Sequence, residues 1–289
     1  MSGAVARELR VLEGGKPDLL PVLELSGPKL RHAFERLLAN AEEHGGVEAY
    51  IQGLQFKASV FAEALKPDNL GTLDEKSFIG LCAFMAPVRR RIGGWLETND
   101  MATVRELIRD LLTGAADGSD TDKRLAVFAT AFPDGRKYRW VRDLAAELLH
   151  WSNPEQYPLM TRWVWDVEAN TGVLREIWHA EDVDHMTIEV ADDYATFLML
   201  REELSQFLAD NGVFRDMLYY VDMLTAQVYA DYICEQGGSY LKTDFSSEID
   251  PMEYTRRMLG LDGVDAGTGR TRVKMAGGGR FTMPELVEC

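Results

Sequence analysis

The sequence predicts an all-α protein, a multi-helix bundle of about ten helices. In nearly every segment from residue 28 to residue 259, apolar residues recur every three to four positions, which is the periodicity of an amphipathic helix. Alternation with period two, which predicts a strand, is confined to a weak candidate at residues 272–275. Helices joined by short turns therefore account for most of the chain.

The first two predicted helices have identifiable ends. Pro28 opens the first helix, because its fixed φ suits the first helical turn, and the pair Gly45 and Gly46 stops it. The second helix ends before Pro67, since a residue that precedes proline avoids the helical conformation.

The next two helices are also marked by specific residues. A helical pattern over residues 74–97 contains Pro87, which lacks an amide donor and clashes with the preceding turn, so we expect a kink or a break there. Asn99 or Asp100 caps the following helix, and Gly114 closes it.

The second half of the chain is predicted to be helical as well. Asn211 and Gly212 form a tight turn between two amphipathic helices, so we expect these two helices to pack as a hairpin. The predicted helices span about residues 125–132, 138–151, 161–170, 192–211, 214–236 and 251–259.

The predicted domain organisation is one helical domain at residues 26–260 between two loose ends. Residues 115–122 are small, acidic and glycine-containing, and they are the best candidate for a boundary between two lobes. Residues 1–25 lack helical periodicity and are expected to be a flexible segment. Residues 261–289 are rich in glycine and are expected to be a flexible C-terminal tail.

Composition excludes several classes of protein. The net charge of −16, from 47 acidic and 31 basic residues, repels nucleic acids and anionic membranes except at a local basic patch. No apolar run reaches the roughly 18 residues that a membrane span requires, and no signal peptide is recognised, so no membrane partner is expected. Three separated cysteines predict neither disulfides nor structural zinc, which favours the cytoplasm.

Charge is distributed unevenly along the chain. Residues 123–142 contain six basic residues and one acidic residue, whereas residues 181–216 contain ten acidic residues and two arginines. In one interpretation the two segments are solvated helix faces that attract each other. In the other, the basic segment is a docking patch for phosphates or an acidic partner, and the acidic segment faces away from it or covers it. If the protein binds a nucleic acid, we expect residues 123–142 to contact the phosphates.

Aromatic and basic side chains are densest at residues 136–171. They form either ordinary helix core or a platform on which a flat ligand stacks. On a predicted helix over residues 161–170, Trp163 faces the core and Trp165 faces outward or into a groove, because the two lie about 200° apart. The binding candidates are Arg136, Arg139, Arg142, His150, Asn153, Tyr157, Arg162 and Trp165.

Other motifs give no assignable chemistry. His179, Glu181, Asp182, Asp184 and His185 could coordinate a metal, but their spacing fits no ligand motif, so no metal is predicted. The glycines near residues 267–269 and 277–279 lack the strand and helix that flank a phosphate loop. No cofactor is predicted, the catalytic residues are left unassigned, and the sequence leans away from an enzyme.

Residues 148–159, with the sequence Leu-Leu-His-Trp-Ser-Asn-Pro-Glu-Gln-Tyr-Pro-Leu, and Val164 after them resemble the all-helical DNA glycosylase superfamily. In that family a helix leads through such a double-proline turn into a second helix, which begins with a catalytic aspartate. Here the corresponding position is Thr161, and the glycine-rich helix-hairpin-helix is absent upstream. The resemblance covers about twenty residues and implies a helical architecture without the catalytic acid.

Three functional hypotheses follow. We expect a non-catalytic cytoplasmic accessory or regulatory module that binds a protein partner through residues 136–166 or the two ends of the chain. The alternatives are a nucleic-acid-binding protein of glycosylase-like architecture, with residues 123–142 on the phosphates, and a small-molecule enzyme with a dispersed site. Salt-dependent DNA binding would favour the second hypothesis, and specific capture of one protein would favour the first.

Overall fold

The computed structural model describes residues 22–180, 182–241, 252–265, 268–275 and 279–282. Within them the fold is all-α, and the sheet is limited to one small antiparallel hairpin. The helices of the first half are α1 (Gly27–Glu42), α2 (Gly46–Ala64), α3 (Pro67–Leu70), α4 (Glu75–Ala83), α5 (Ile92–Leu96) and α6 (Met101–Leu112). Those of the second half are α7 (Thr121–Thr130), α8 (Trp140–Ser152), α9 (Val173–Glu176), α10 (Tyr194–Asp210), α11 (Met217–Leu241) and α12 (Met252–Met258), followed by β1 (Arg270–Lys274) and β2 (Arg280–Thr282).

Several predicted helix ends are confirmed. The carboxylate of Asp100 accepts a hydrogen bond from the amide of Thr103 at 2.8 Å and caps α6, which leaves one fewer amide unpaired. The predicted interruption at Pro87 separates α4 from α5. The turn at Asn211 and Gly212 connects α10 to α11, and the two helices pack against each other.

The centre of the molecule is α11, which packs against α1, α2, α9, α10 and α12. On another side α8 packs against α2, α6 and α7. The buried apolar side chains of these helices form one cluster that extends from Leu30 to Val273. Because this cluster includes residues on both sides of the segment 115–122, the two halves of the chain share a core in this structure.

The predicted helix over residues 161–170 is wrong. Residues 162–164 and 167–170 form turns, and Asp166 pairs with Thr171 in an isolated antiparallel bridge. The Asp166 carboxylate accepts a hydrogen bond from the amide of Ala169 at 3.0 Å, and Asn170 and Gly172 adopt positive φ. These local turns satisfy the backbone in place of helical hydrogen bonds.

The expectation of a loose C-terminal tail is corrected for the part that the structure describes. Val273 is fully buried, and β1 packs against α4 and α5. At Gly260, where φ is +77°, a Cβ atom would lie 1.7 Å from the carbonyl oxygen of Phe84, so only glycine allows this close approach. Residues 1–21, 266–267, 276–278 and 283–289, where the rest of both predicted tails and most of the glycine motifs fall, lie outside the described residues.

Candidate functional site

Three of the six cations in the predicted basic patch form ion pairs. Arg139 donates to the carboxylate of Asp166 at 2.7 Å. Arg142 pairs with Asp192, which ties the basic segment to the acidic one. The exposed cations among residues 123–142 are Lys123, Arg136 and Lys137.

The most enclosed cation of this patch is Arg124. Its guanidinium donates to the carboxylate of Asp120 at 2.9 Å and to the hydroxyl of Tyr157 at 3.0 Å. It also donates to the carbonyl of Leu111. Arg124 thus joins α6, α7 and the double-proline turn, and Tyr157, a predicted binding candidate, serves as its buried acceptor.

Arg162 likewise has a structural partner. Its backbone amide and its guanidinium both donate to the carboxylate of Asp143, at 2.9 Å and 2.8 Å. Burial raises the pKa of Asp143, and the charge and hydrogen bonds of Arg162 oppose that rise. The pair therefore fastens the segment after the double-proline turn onto α8.

The expectation that Trp165 faces outward is wrong. Trp165 is fully buried, and its indole Nε1 donates to the carbonyl of Val190 at 2.9 Å. Trp163 is also buried, at 6% exposure, as predicted. Both indoles are enclosed because residues 161–170 are turns, in which the 200° relation of a helix does not hold.

His150 lies inside the protein near the end of α8, where it bridges two elements. Its Nδ1 lies 2.8 Å from the carbonyl oxygen of Tyr157, and its Nε2 lies 3.0 Å from the carboxylate of Asp222 on α11. A carbonyl only accepts, so Nδ1 donates to it, and Nε2 contacts the carboxylate of Asp222. Both nitrogens are engaged, and neither is left to act as a base on a substrate.

The His150–Asp222 pair borders a narrow apolar cleft. The cleft has an empty volume of about 370 Å³ when the space open to solvent is included, but its enclosed part has room for only about one water molecule. Arg201 lines it and donates to the carbonyls of Pro154 and Glu155 at 3.0 Å and 2.9 Å. Asn153 at this turn is exposed and accepts from the amide of Gln156.

Sequence reasoning missed a second buried polar centre, formed by Lys57 of α2 and Glu147 of α8. The ammonium of Lys57 donates to Glu147 at 3.1 Å and to the carbonyls of Phe84 and Leu259 at 2.8 Å and 2.9 Å. The same Glu147 oxygen accepts from the indole of Trp151 at 2.9 Å. Both charged side chains are fully enclosed, so this centre joins helices and does not face a ligand.

Desolvation acts strongly on this pair. Burial lowers the pKa of Lys57, and the adjacent carboxylate of Glu147 opposes that change. Burial raises the pKa of Glu147, and Lys57 opposes it. One sequence feature does indicate the pair, because Lys57 and Glu147 each lie within the apolar stripe of their helix, where a solvated charge is not expected.

Two exposed features also fall outside the predicted candidates. Phe214 and Phe56 are large aromatic residues at 78% and 48% exposure, near the junction of α10, α11 and α2. A wide polar groove lies between α12 and the C-terminal hairpin. Among the described residues, no group of three or more metal-ligating side chains is arranged to hold an ion. Of the five residues that the sequence suggested as possible metal ligands, Glu181 and the side chain of Asp184 are not described.

Comparisons of the chain with models of known protein families, with curated proteins and with solved structures give no match. The resemblance to DNA glycosylases therefore depends on residues 148–164 alone. Thr161, the position that would hold the catalytic aspartate in that family, is fully buried. No helix among the described residues is both long enough and apolar enough to cross a lipid bilayer.

Proposed function

We propose that the protein is a non-catalytic helical module that binds a protein partner at an aromatic surface beside α2. The observation that carries this proposal is the exposure of Phe214, at 78%, and of Phe56, at 48%. Large aromatic side chains that protrude from an ordered surface are enriched at protein interfaces, where they supply much of the binding energy.

The two phenyl rings belong to segments that touch each other. Gln55, the neighbour of Phe56, donates to the carboxylate of Asp216 at 2.9 Å, and Asp216 follows Phe214 by two residues. We define the aromatic surface as Phe56, Phe214 and the half-buried Tyr220. Phe56 lies on α2 and Tyr220 lies on α11, while Phe214 lies in the connection before α11. The two helical positions favour a preformed site over one that folds on binding.

Two acidic side chains lie close to Tyr220 of the aromatic surface. Burial raises the pKa of Tyr220, and the nearby carboxylates of Glu48 and Asp216 raise it further. The whole chain carries a net charge of −16. A partner with apolar anchors flanked by basic residues fits this combination, because the field of the protein would steer it toward the surface.

We place this module in the cytoplasm, as the cysteine usage favours. Cys82 and Cys234 are free thiols, and burial raises the pKa of both. A thiol with a raised pKa is less reactive, which suits a structural role in a reducing compartment.

The test is affinity capture with the full chain immobilised and an extract of the cells that make it. The wild type is compared with the double variant Phe56→Ser/Phe214→Ser and with Val127→Ser, a matched change at another exposed apolar residue, on α7. We expect one protein to be retained by the wild type and by Val127→Ser, and lost from the double variant. Retention should fall with added salt, because the partner is basic. Equal retention by all three proteins, or the absence of a specifically retained protein, would contradict the proposal.

A further inference from the structure

A wide groove between α12 and the C-terminal hairpin is lined by four arginines and by three carboxylates, those of Glu253, Asp262 and Asp265. Arg256 comes from α12, Arg270 and Arg272 come from β1, and Arg280 comes from β2. The empty volume of the groove, including the space open to solvent, is about 1240 Å³. Unlike the cleft beside His150, it can admit a small molecule without any movement of the protein.

The region around the groove has the opposite charge to the rest of the protein. The described residues from 252 to 282 include six basic and three acidic side chains, a net charge of +3, whereas the whole chain carries −16. Such a reversal of sign concentrates a positive potential at one place on an acidic surface. An anion that approaches this protein is therefore attracted to this region more than to the acidic surface around it.

The alternation of β1 explains why the cations converge. Thr271 and Val273 point inward and are buried, so Arg270, Arg272 and Lys274 all emerge on the exposed face of the strand. Arg280 of β2, which pairs in register with Lys274, is exposed as well. The hairpin thus presents a row of cations beside α12.

The carboxylate of Asp262 pairs with one arginine of this row, Arg272. Asp262 accepts two hydrogen bonds from Arg89, at 2.7 Å and 3.2 Å, and it lies 3.0 Å from the guanidinium of Arg272. Asp262 is therefore paired with three arginines, the third being Arg257 at 3.8 Å, and it fixes Arg272 at the edge of the groove. Within the part of the chain that the structure describes, Arg270 and Arg280 form no ion pair, so their guanidinium groups are available to a ligand.

We propose that this groove binds a small ligand that carries a phosphate or pyrophosphate group. Guanidinium groups donate paired hydrogen bonds that match phosphate oxygens, and several converging cations favour a ligand with more than one negative charge. A small anion is governed by the local charges, because salt screens interactions beyond about 8–10 Å. An extended nucleic acid would also meet the acidic surface around the groove, which disfavours it.

Isothermal titration calorimetry on the full chain at low salt tests the proposal, with inorganic phosphate, pyrophosphate and ATP as the probes. We expect pyrophosphate and ATP to bind more tightly than phosphate. Arg270→Glu and Arg280→Glu should each weaken binding by about tenfold or more, since each replaces an attraction by a repulsion. The matched control is Arg136→Glu, an exposed arginine in the other basic segment, and it should leave the affinity unchanged.

A short single-stranded oligonucleotide and Arg270→Gln complete the experiment. Arg270→Gln removes the charge without reversing it, so it should weaken pyrophosphate binding less than Arg270→Glu does. Two results would overturn the proposal: no pyrophosphate binding by the folded wild type up to millimolar concentration, or the same loss of affinity in Arg136→Glu as in the two hairpin variants. Arginine-dependent binding of the oligonucleotide without pyrophosphate binding would also overturn it, and would assign the groove to nucleic acid.

Discussion

In two basic regions of this protein, residues 123–142 and the C-terminal hairpin, several arginines differ in whether a carboxylate pairs with them, although Arg136 of the first region is exposed and Arg272 of the hairpin is paired with Asp262. In the first region Arg124, Arg139 and Arg142 are all paired with carboxylates of other residues. In the hairpin, Arg270 and Arg280 lie on the exposed face of a two-stranded sheet. The number of basic residues in a segment is therefore a poor guide to its function, because their partners decide whether the charges are available.

The difference arises from the elements that carry the arginines. Helix α8 packs against α2, α6 and α7, and the partly exposed Arg139 and Arg142 at its start lie within reach of the carboxylates of Asp166 and Asp192. A hairpin at the edge of the molecule has one face against α4 and α5 and the other toward solvent. Cations on the outer face stay solvated and open to a ligand.

The largest effect is expected where a buried charge loses its partner. Lys57→Met would leave the carboxylate of Glu147 enclosed without its cation, which should cost ~3–5 kcal/mol in the free energy of unfolding. Adding Glu147→Gln should recover part of that loss, because a neutral amide needs no counter-charge and still accepts from Trp151. Denaturation with guanidinium chloride measures both variants. A cost below about 1 kcal/mol for Lys57→Met would mean that this centre tolerates an unpaired charge.

The next effect tests whether the C-terminal segment is part of the folded body. Gly260→Ala adds a Cβ atom 1.7 Å from the carbonyl oxygen of Phe84 and requires a positive φ of an alanine, so we expect a loss of ~2–5 kcal/mol. Gly212→Ala is the matched control, since its φ is also positive but no atom lies within 4 Å of the added carbon. It should cost only ~1–2 kcal/mol. Equal thermal unfolding midpoints for the two variants would place residue 260 outside the packed structure.

The helices could be predicted because their apolar stripes and their ends are local features. Asp100 caps α6 and Pro87 separates α4 from α5, and both follow from the chemistry of a few neighbouring residues. Residues 161–170 were predicted incorrectly because their apolar spacing suits a helix, while their fold depends on contacts with distant residues. Asn170 and Gly172 were the turn signals that could have prevented this error.

The candidate site could not be predicted in the same way, because partners far apart in the chain determine it. Arg162 and His150 are ordinary polar residues in the sequence, and the structure places them against Asp143 and Asp222. The aromatic surface joins α2 to residues 214–220, and no local pattern indicates that contact. The groove needed β1 to pack against α4 and α5, which the glycine-rich composition of its segment did not suggest.

A smaller effect separates the two basic regions directly. Arg139→Ala should cost ~1 kcal/mol, because it removes a partly exposed ion pair and leaves the mostly buried Asp166 with a weaker contact to Arg162 at 3.9 Å. Arg270→Ala should change the free energy of unfolding by less than about 0.5 kcal/mol, since its side chain is solvated. Urea denaturation of both variants makes the comparison. A larger cost for Arg270→Ala would reverse the roles assigned to the two regions.

The smallest effect concerns exposed charges that act only on their own helix, as Asp74 and Asp100 do. Hydrogen bonds from the amides of Ser77 and Thr103 lower the pKa of these carboxyls, so their contribution to stability is present above the pKa of the unfolded chain. This contribution is lost as the pH falls through the lower pKa of the folded state.

Asparagine also caps a helix but does not titrate, so Asp100→Asn should be slightly less stable than the wild type at neutral pH. The gap should narrow in acid, and Asp74→Asn should behave in the same way. Denaturant titrations at neutral pH and at about pH 3, below the roughly 3.9 of an unperturbed aspartate, measure this change. A gap that stays constant with pH would show that the ionised carboxylate adds nothing to the neutral cap.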